Sequence, residues 1–361
     1  MNIVKVIVIN IGWEQEPLIN ELRRRKDVEL YGIHPNNEIN NKTIFKEILI
    51  SDLRDLIRIL DFSIKITPNV VISDQCDYGL YAQAFLAEYF NLPGQSILSA
   101  KISNDKYIQR QKCEKYGINI PKYKLCNNLK DAELASKEIG FPLIIKPTDN
   151  RGSFGVEKVN NILELEKGFF SALKNSISRE ILIEEFIDGQ QITIDGYSFP
   201  INGIKSLAIG SKLMSDNNEQ VSLGIAYPAS IDKELFKKAI KNNEKVNRSL
   251  GYHFGMIHSE YMIREDTIYL IESTNRGGGV FTSEIIAPES SGIDLINQYI
   301  SDCFGNRLDF YKKPLHKEIV LRFFSFSKGK VKNIKNWEVF KNSEGIVSAE
   351  LSIKNNQIIK K

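Results

Sequence analysis

The chain has 361 residues, 42% of them hydrophobic and 26% charged, an ordinary globular composition with length enough to bury a core without disulfides or structural metals. Forty-eight basic residues against 45 acidic ones leave a net charge of +3, which gives no electrostatic ground for nucleic acid as a main partner. No apolar run reaches the roughly 18 residues of a membrane helix, and four cysteines without a CxxC pair beside only four histidines argue against a Cys/His zinc site and for reduced thiols in the cytoplasm.

At roughly 150 residues per domain, the length predicts two or three domains. The opening MNIVKVIVIN reads as a buried first strand, not a signal peptide. VKVIVINIG is continuously apolar, as a strand buried on both faces is, and ends at Gly12. EPLINELRRR follows as a helix, VELYGIHP as a strand, and SDLRDLIRILDFSIKI as a helix with its apolar stripe at Leu53, Leu56, Ile57 and Leu60. NVVISD is a third strand, and YGLYAQAFLAEYFNLPG a helix stopped by Pro93 and Gly94. This alternation predicts an open parallel sheet with right-handed crossovers. Gly12 stands without a GxGxxG fingerprint, so no dinucleotide site is supported.

A second unit opens near Asn104. NDKYIQRQKCEKYGINIPKY predicts a helix, a turn and an extended segment, and DAELASKEIG another helix. FPLIIKPTDNRGSFGVEKV is a strand, a Gly/Ser loop and a strand. After a helix over 161–174, ILIEEFIDGQQITIDGYSF gives two strands around Asp188 and Gly189. Strands over 201–209 and 221–227, a helix over 232–250, a hairpin of HSEYMI and TIYLIES, and a helix over 289–304 follow. The tail, IVLRFFSF, KGKVKNI and GIVSAELSI, reads as a small β module with turns at Gly329 and Gly345. There is no internal repeat and no low-complexity linker.

Four places could carry chemistry. The loop Asp149–Gly155 lies close behind Lys146, and Gly152 and Gly155 free its backbone N–H groups to meet phosphate oxygens. It is no Walker A loop, and a glycine hairpin with a surface lysine has the same pattern. Glu260 and Glu272 sit on the two strands of the predicted hairpin. Antiparallel pairing brings their carboxylates onto one face, which is unfavourable unless a cation lies between them. Carboxylate oxygens suit Mg²⁺, although two solvated glutamates on an edge fit the pattern too. Arg276 and the glycines 277–279 could grip a phosphoryl group or a carboxylate. Glu184 and Glu185 end a strand where a backbone could read an adenine edge and a side chain accept from its amino group. His258, two residues before Glu260, shares its strand face, as a packed or a working histidine.

The order Lys106, Lys146 with its glycine loop, Glu184-Glu185, Glu260, Glu272, Arg276 resembles the ATP-grasp superfamily, and within it the carboxylate–amine ligases. NVVISDQCDYG, the Asp-Lys helix NDKYIQRQKCEKYGINIPKY, the phosphate loop FPLIIKPTDNRGSFGV and the adenine segment ILIEEFIDGQQITIDG carry the likeness. GMIHSEYMI and LIESTNRGGG, with Gly-x-x-His-x-Glu and Glu-x-x-x-Arg spacings, are especially similar to L-amino-acid ligases.

The resemblance implies an α/β and α+β chain with the ATP-grasp fold. It implies a Rossmann-like domain over 1–103, an ATP-grasp domain over 104–310 with a lid at about 115–190, and a C-terminal β-rich segment over 311–361. It implies that Lys106 and Lys146 hold the α- and β-phosphates. Gly152, Ser153 and Gly155 would close over the phosphates, and Glu184, Glu185, Phe186 and Ile187 would surround adenine and ribose. Gln191 stands where the family usually has a ribose-binding glutamate. Glu260 and Glu272 would bind Mg²⁺, with Mn²⁺ as an alternative, and Arg276 would hold the moving γ-phosphoryl group. His258 and Gly278 are implied as substrate or supporting positions. Thr274, where many members carry a metal-binding Asn, is not expected to add a ligand.

The implied activity is ATP-dependent amide formation through an acyl phosphate, releasing ADP and phosphate. A bicarbonate-using carboxylase and a catalytically inactive ATP-binding module are its rivals. The implied partners are a small carboxylate and a small amine, with no nucleic acid, no membrane and a homodimer by analogy. The stretch 210–220 is expected to line or cover the acceptor pocket.

Overall fold

The computed structural model describes residues 3–150, 152–214, 222–307, 309 and 311–359. The chain divides into two compact units, Met1–Leu321 and Arg322–Lys361.

The first unit opens on the expected parallel sheet. Val4–Ile9 lies between Val28–His34 and Val70–Ser73, all parallel. A fourth strand, Glu47–Ile50, adds to the edge beside Val28–His34. Sequence reading misses it because its four residues sit among polar turns and are only partly buried. The helices Leu56–Ile66 and Asp77–Phe90 pack on the sheet's face. The buried stripe of Leu56–Ile66 is Ile59, Phe62, Ser63 and Ile66, so the expected stripe is corrected: Ile57 is 77% exposed and Leu53 precedes the helix. Asp55 fixes that register by capping at Arg58 N, which starts the helix later than the apolar pattern suggests. A helix at Ile97–Ser103, capped by Ser96, was also not foreseen.

Two antiparallel sheets follow. The smaller has the strand order Tyr123–Cys126, Ile181–Glu185, Leu143–Pro147, Glu157–Val159. It packs with the helices Leu129–Ile139 and Ile162–Lys174 around its own core of Leu143, Ile145, Phe169 and Ile183. The larger has the order Thr267–Thr274, Gly255–Arg264, Gln190–Phe199, Gly203–Met214, Ser222–Tyr227, Ile319–Arg322. The helices Lys106–Lys115 and Lys233–Leu250 cover one of its faces.

The helix expected over 289–304 is two: Ala287–Ser291 ends at Gly292, with φ of +74°, and Leu295–Cys303 restarts on an Asp294 cap. Ahead of them Thr282–Ile286 forms one π-helical turn.

In the second unit the strands Gly329–Lys330 and Ile358–Ile359 pair antiparallel. The tail carries less strand than its alternation suggests. Trp337–Lys341 is helical, with Trp337 stacked on Phe340, and 346–354 forms no ladder. None of its side chains is fully buried, so little rewards a ladder there.

Candidate active site

The site begins at a helix start. Asp105 caps the helix Lys106–Lys115, accepting from the N–H groups of Tyr107 and Ile108 at 2.9 and 3.0 Å. That fixes Lys106 at the first turn. Its ammonium donates to the Asn150 carbonyl at 2.7 Å and lies 3.3 Å from Glu272 Oε1. A cavity lies here, lined by Asp77, Asn104, Lys106, Asp149, Asn150 and Glu272 among others. The expected phosphate loop thus meets the expected metal carboxylate at one lysine.

Glu260 and Glu272 are register partners across the hairpin, as the sequence pattern required. The ladder slips immediately after Glu260, so Ile271 opposes nothing, an irregularity that re-aims side chains beside a site. Lys212 Nζ sits 2.6 Å from Glu260 Oε1, and Gln191 donates to Glu260 Oε2 at 3.0 Å. Burial works against the Glu260 carboxylate, and Lys212 and His258 more than offset it, holding the group far below the ordinary range. Each of the two carboxylates therefore rests on a lysine. Among the described residues no group of three or more His, Cys, Asp or Glu surrounds a cation position. Two carboxylates with few further protein ligands suit Mg²⁺, which takes its remaining ligands from water and phosphate.

His258 follows the period-two expectation and shares the face of Glu260. Its Nδ1 lies 2.7 Å from Asp195 Oδ1, and Tyr227 donates to Asp195 Oδ2 at 2.8 Å. Burial lowers the imidazole's affinity for a proton, but Asp195 and Glu260 outweigh it and raise the pKa to about 9. Gly278 lies directly against it: a Cβ there would stand 2.6 Å from His258 Nδ1.

Arg276 is held by Asp77, Nε and Nη2 donating to the two carboxylate oxygens at 2.8 and 3.0 Å. Burial opposes the charged guanidinium, and Asp77 with Glu272 overcomes it, so Arg276 stays a cation. Asp77 opens the helix Asp77–Phe90 that follows Val70–Ser73, so the layer of the parallel sheet reaches the site.

The adenine segment divides by strand alternation. Glu184 is 1% exposed, and its carboxylate is committed inward: Lys146 Nζ at 2.6 Å, Arg110 Nε at 2.6 Å and Arg110 Nη2 at 3.3 Å. A side chain so occupied does not accept from an adenine amino group, which leaves that edge to the backbone. Lys146 is itself 4% exposed, and burial pushes its ammonium below the ordinary lysine range against the pull of Glu184. Glu185 faces the other way, 2.9 Å from Arg264 Nη1. Phe186 lies under Lys158, whose Nζ is 3.8 Å from the ring centroid, and Ile187 is buried. In the loop, Gly152, Ser153 and Gly155 all have positive φ, and a Cβ at Gly155 would meet Asn175 Cβ at 2.8 Å. Arg151 and most of the stretch 210–220 lie outside the described residues.

Sequence reasoning missed Arg110, Lys212, Asp77 and Asp195. Arg110 alone had a local signal, since it stands four residues after Lys106 on one helical face. The others reach the site through strand register or sheet topology.

With this geometry in hand, comparison with known proteins is direct. Residues 139–284 match the ATP-grasp domain family. The carbamoyl phosphate synthase large chain of Thermoanaerobacter pseudethanolicus is 26% identical over 220 residues, 60% of this chain and 20% of that protein. The D-alanine–D-alanine ligase of Geotalea uraniireducens is 25% identical over 236 residues, 60% of this chain and 72% of that one. The chain thus spans about a fifth of the synthase it matches. The crystal structure of an L-amino acid ligase from Bacillus licheniformis superposes with a TM-score of 0.80 at 21% identity, covering 95% of this chain and 86% of that one. Residues 139–284 thus carry an ATP-grasp domain, and the chain has the ATP-grasp fold.

Proposed function

We infer that this protein is an ATP-dependent carboxylate–amine ligase. The observation that carries the reading is a cavity lined by Lys106, Asp149, Asn150 and Glu272, with Glu260 paired in register to Glu272 and Arg276 bound to Asp77 of the same lining. Relatives point the same way: one is a D-alanine–D-alanine ligase, and a structural neighbour is an L-amino acid ligase.

ATP would lie between the small sheet and the large one. Its adenine would meet the backbone of Glu184–Ile187, with Phe186 and Ile187 as walls and Gln191 near the ribose. Lys106 and Lys146 would neutralise phosphate oxygens, and Gly152, Ser153 and Gly155 would lay N–H groups over them. Glu260 and Glu272 would hold Mg²⁺, which supplies charge neutralisation between the phosphates. A carboxylate oxygen of the substrate attacks the γ-phosphorus, ADP leaves, and an acyl phosphate forms. Arg276 would hold the phosphoryl oxygens during transfer, released from Asp77 or sharing it. An amine then attacks the carbonyl, the C–O bond to phosphate breaks, and an amide forms. The transfer needs alignment and charge neutralisation more than covalent help.

Hydroxylamine trapping tests this. In the presence of Mg²⁺, ATP and the right carboxylate, hydroxylamine should replace the amine and yield a hydroxamate with stoichiometric ADP. ADP formed with bicarbonate alone and no hydroxamate from any carboxylate pool would overturn the ligase reading in favour of carboxyphosphate chemistry.

A further inference from the structure

The loop that follows Arg276 is built under constraint. Val280 and Phe281 both have left-handed backbone, with φ of 53° and 62°, a costly conformation for a β-branched and an aromatic residue. A π-helical turn follows at once, a feature concentrated at functional sites. Something must hold this segment, and it comes from the parallel sheet. Asp74 Oδ1 accepts from Gly277 N at 2.9 Å and from Gln75 N at 2.8 Å. Gln75 Oε1 accepts from Phe281 N at 3.3 Å, and Trp13 meets the Phe281 ring edge-on at 5.2 Å. Gly277 must be glycine, since a Cβ would stand 2.5 Å from Asp74 Oδ1 and 2.4 Å from Ser283 Oγ.

Two carboxyl groups close the network. Gln75 Nε2 donates to Glu284 Oε1. Asp74 Oδ2 and Glu284 Oε2 are fully enclosed, and neither has a donor. Asp74 and Glu284 are 2% and 7% exposed, and Gln75 joins them, its backbone N–H donating to Asp74 Oδ1 and its Nε2 to Glu284 Oε1. Two enclosed carboxylates cannot both be ionised without a cation between them. Burial and Asp74 together push the Glu284 carboxyl well above the ordinary range.

We propose that Asp74 and Glu284 share one proton, and that this acid pair is a positioning device that holds the Arg276–Phe281 loop against the parallel sheet in the geometry phosphoryl transfer requires. The proposal rests on the ligase reading for its catalytic consequence, and on the network alone for the shared proton. The hydrogen bonds run in one sense only. Phe281 N–H donates to Gln75 Oε1, Gln75 Nε2 donates to Glu284 Oε1, and Gly277 N–H donates to Asp74 Oδ1. Those bonds leave Glu284 Oε2 and Asp74 Oδ2 without a donor, and one shared hydrogen satisfies both.

That wiring gives an unusual mutational pattern. In E284Q the amide supplies the missing hydrogen to Asp74, while its oxygen still accepts from Gln75. In D74N the amide supplies it to Glu284, while its oxygen still accepts from Gly277 and Gln75. Each single variant should keep its melting temperature and at least about a third of wild-type phosphate release. The double variant D74N/E284Q sets two amide N–H₂ groups face to face, with no flip that keeps the other bonds. It should lose about tenfold or more in turnover and melt well below either single variant.

Infrared difference spectra supply a readout independent of catalysis. Wild type minus E284Q should carry the carbonyl stretch of a buried, protonated carboxylic acid. Single amide variants as damaged as the double would mean that the pair holds a cation instead, and would overturn the proposal. Absence of the carboxylic-acid band would overturn it as well. If no substrate pool supports turnover, the melting pattern and the band still decide the shared proton, and only the ligase reading fails.

Discussion

Arg110 offers the sharpest stability prediction. It is 0% exposed and donates twice to Glu184, which in turn neutralises Lys146. A third bond runs from Nη2 to the carbonyl of Ile271, the residue that the hairpin irregularity leaves unpaired. Replacing Arg110 with Met keeps the approximate bulk and removes the charge. One member of a buried ion network is then gone, and such losses cost about 3–5 kcal/mol. Against a total stability of about 5–15 kcal/mol that is a large fraction.

The loss should be concentrated where the strands of the small sheet depend on it. Hydrogen exchange of the Ile181–Glu185 and Leu143–Pro147 amides should accelerate more than that of Val4–Ile9. Removing all three charges, as R110M/E184L/K146M, should recover most of the stability, because a buried ion network is replaceable by apolar volume. The triple variant should nonetheless fail to bind ATP, since Lys146 is gone. Denaturant melts, local exchange and nucleotide titration measure the three effects. R110M within about 1 kcal/mol of wild type, with unchanged exchange in the small sheet, would refute the reasoning.

Further outcomes follow from the same geometry. Gly278→Ala drives a Cβ to 2.6 Å from His258 Nδ1 and 3.0 Å from Thr282 Cβ; with the imidazole held by Asp195, turnover should fall about tenfold or more and stability by about 1–3 kcal/mol, read by activity assay and denaturant melt. Glu260→Gln and Glu272→Gln should each raise the Mg²⁺ concentration for half-maximal phosphate release by at least about tenfold, the loss that even a residue supporting a metal ligand produces. All four cysteines are buried, and burial pushes Cys113 up to about 11 and Cys126 up to about 12. Both are thiols at pH 8, so iodoacetamide should label the native protein only after denaturant is added, as followed by intact mass.

What was legible in the sequence depended on how far each signal reached along the chain. The parallel sheet could be read because three of its strands are short apolar runs between helices. The short edge strand Glu47–Ile50 lacked that contrast. The pairing of Glu260 with Glu272 was legible because a hairpin fixes register within a few residues. Lys212 and Asp195 were not, because they reach the same face from strands whose pairing is set by the whole sheet. Glu184 shows the opposite failure. Its place at the end of the strand was legible, but its inward partners were not: Arg110, from a neighbouring helix, and Lys146 take up its carboxylate. The tail alternates like strand but buries too little apolar surface for the pattern to be rewarded, and a helical turn at Trp337–Lys341 replaces part of it.

The central claim is that a substrate carboxylate is activated on the γ-phosphate, and oxygen tracing tests it most directly. Pooled amino acids carrying ¹⁸O in their carboxylates would be incubated with Mg²⁺, ATP and the protein, and the released phosphate analysed by mass. The account predicts one ¹⁸O in each phosphate formed by wild type, and no turnover in Arg276→Ala. Phosphate released without label, or undiminished release by the Arg276 variant, would contradict it.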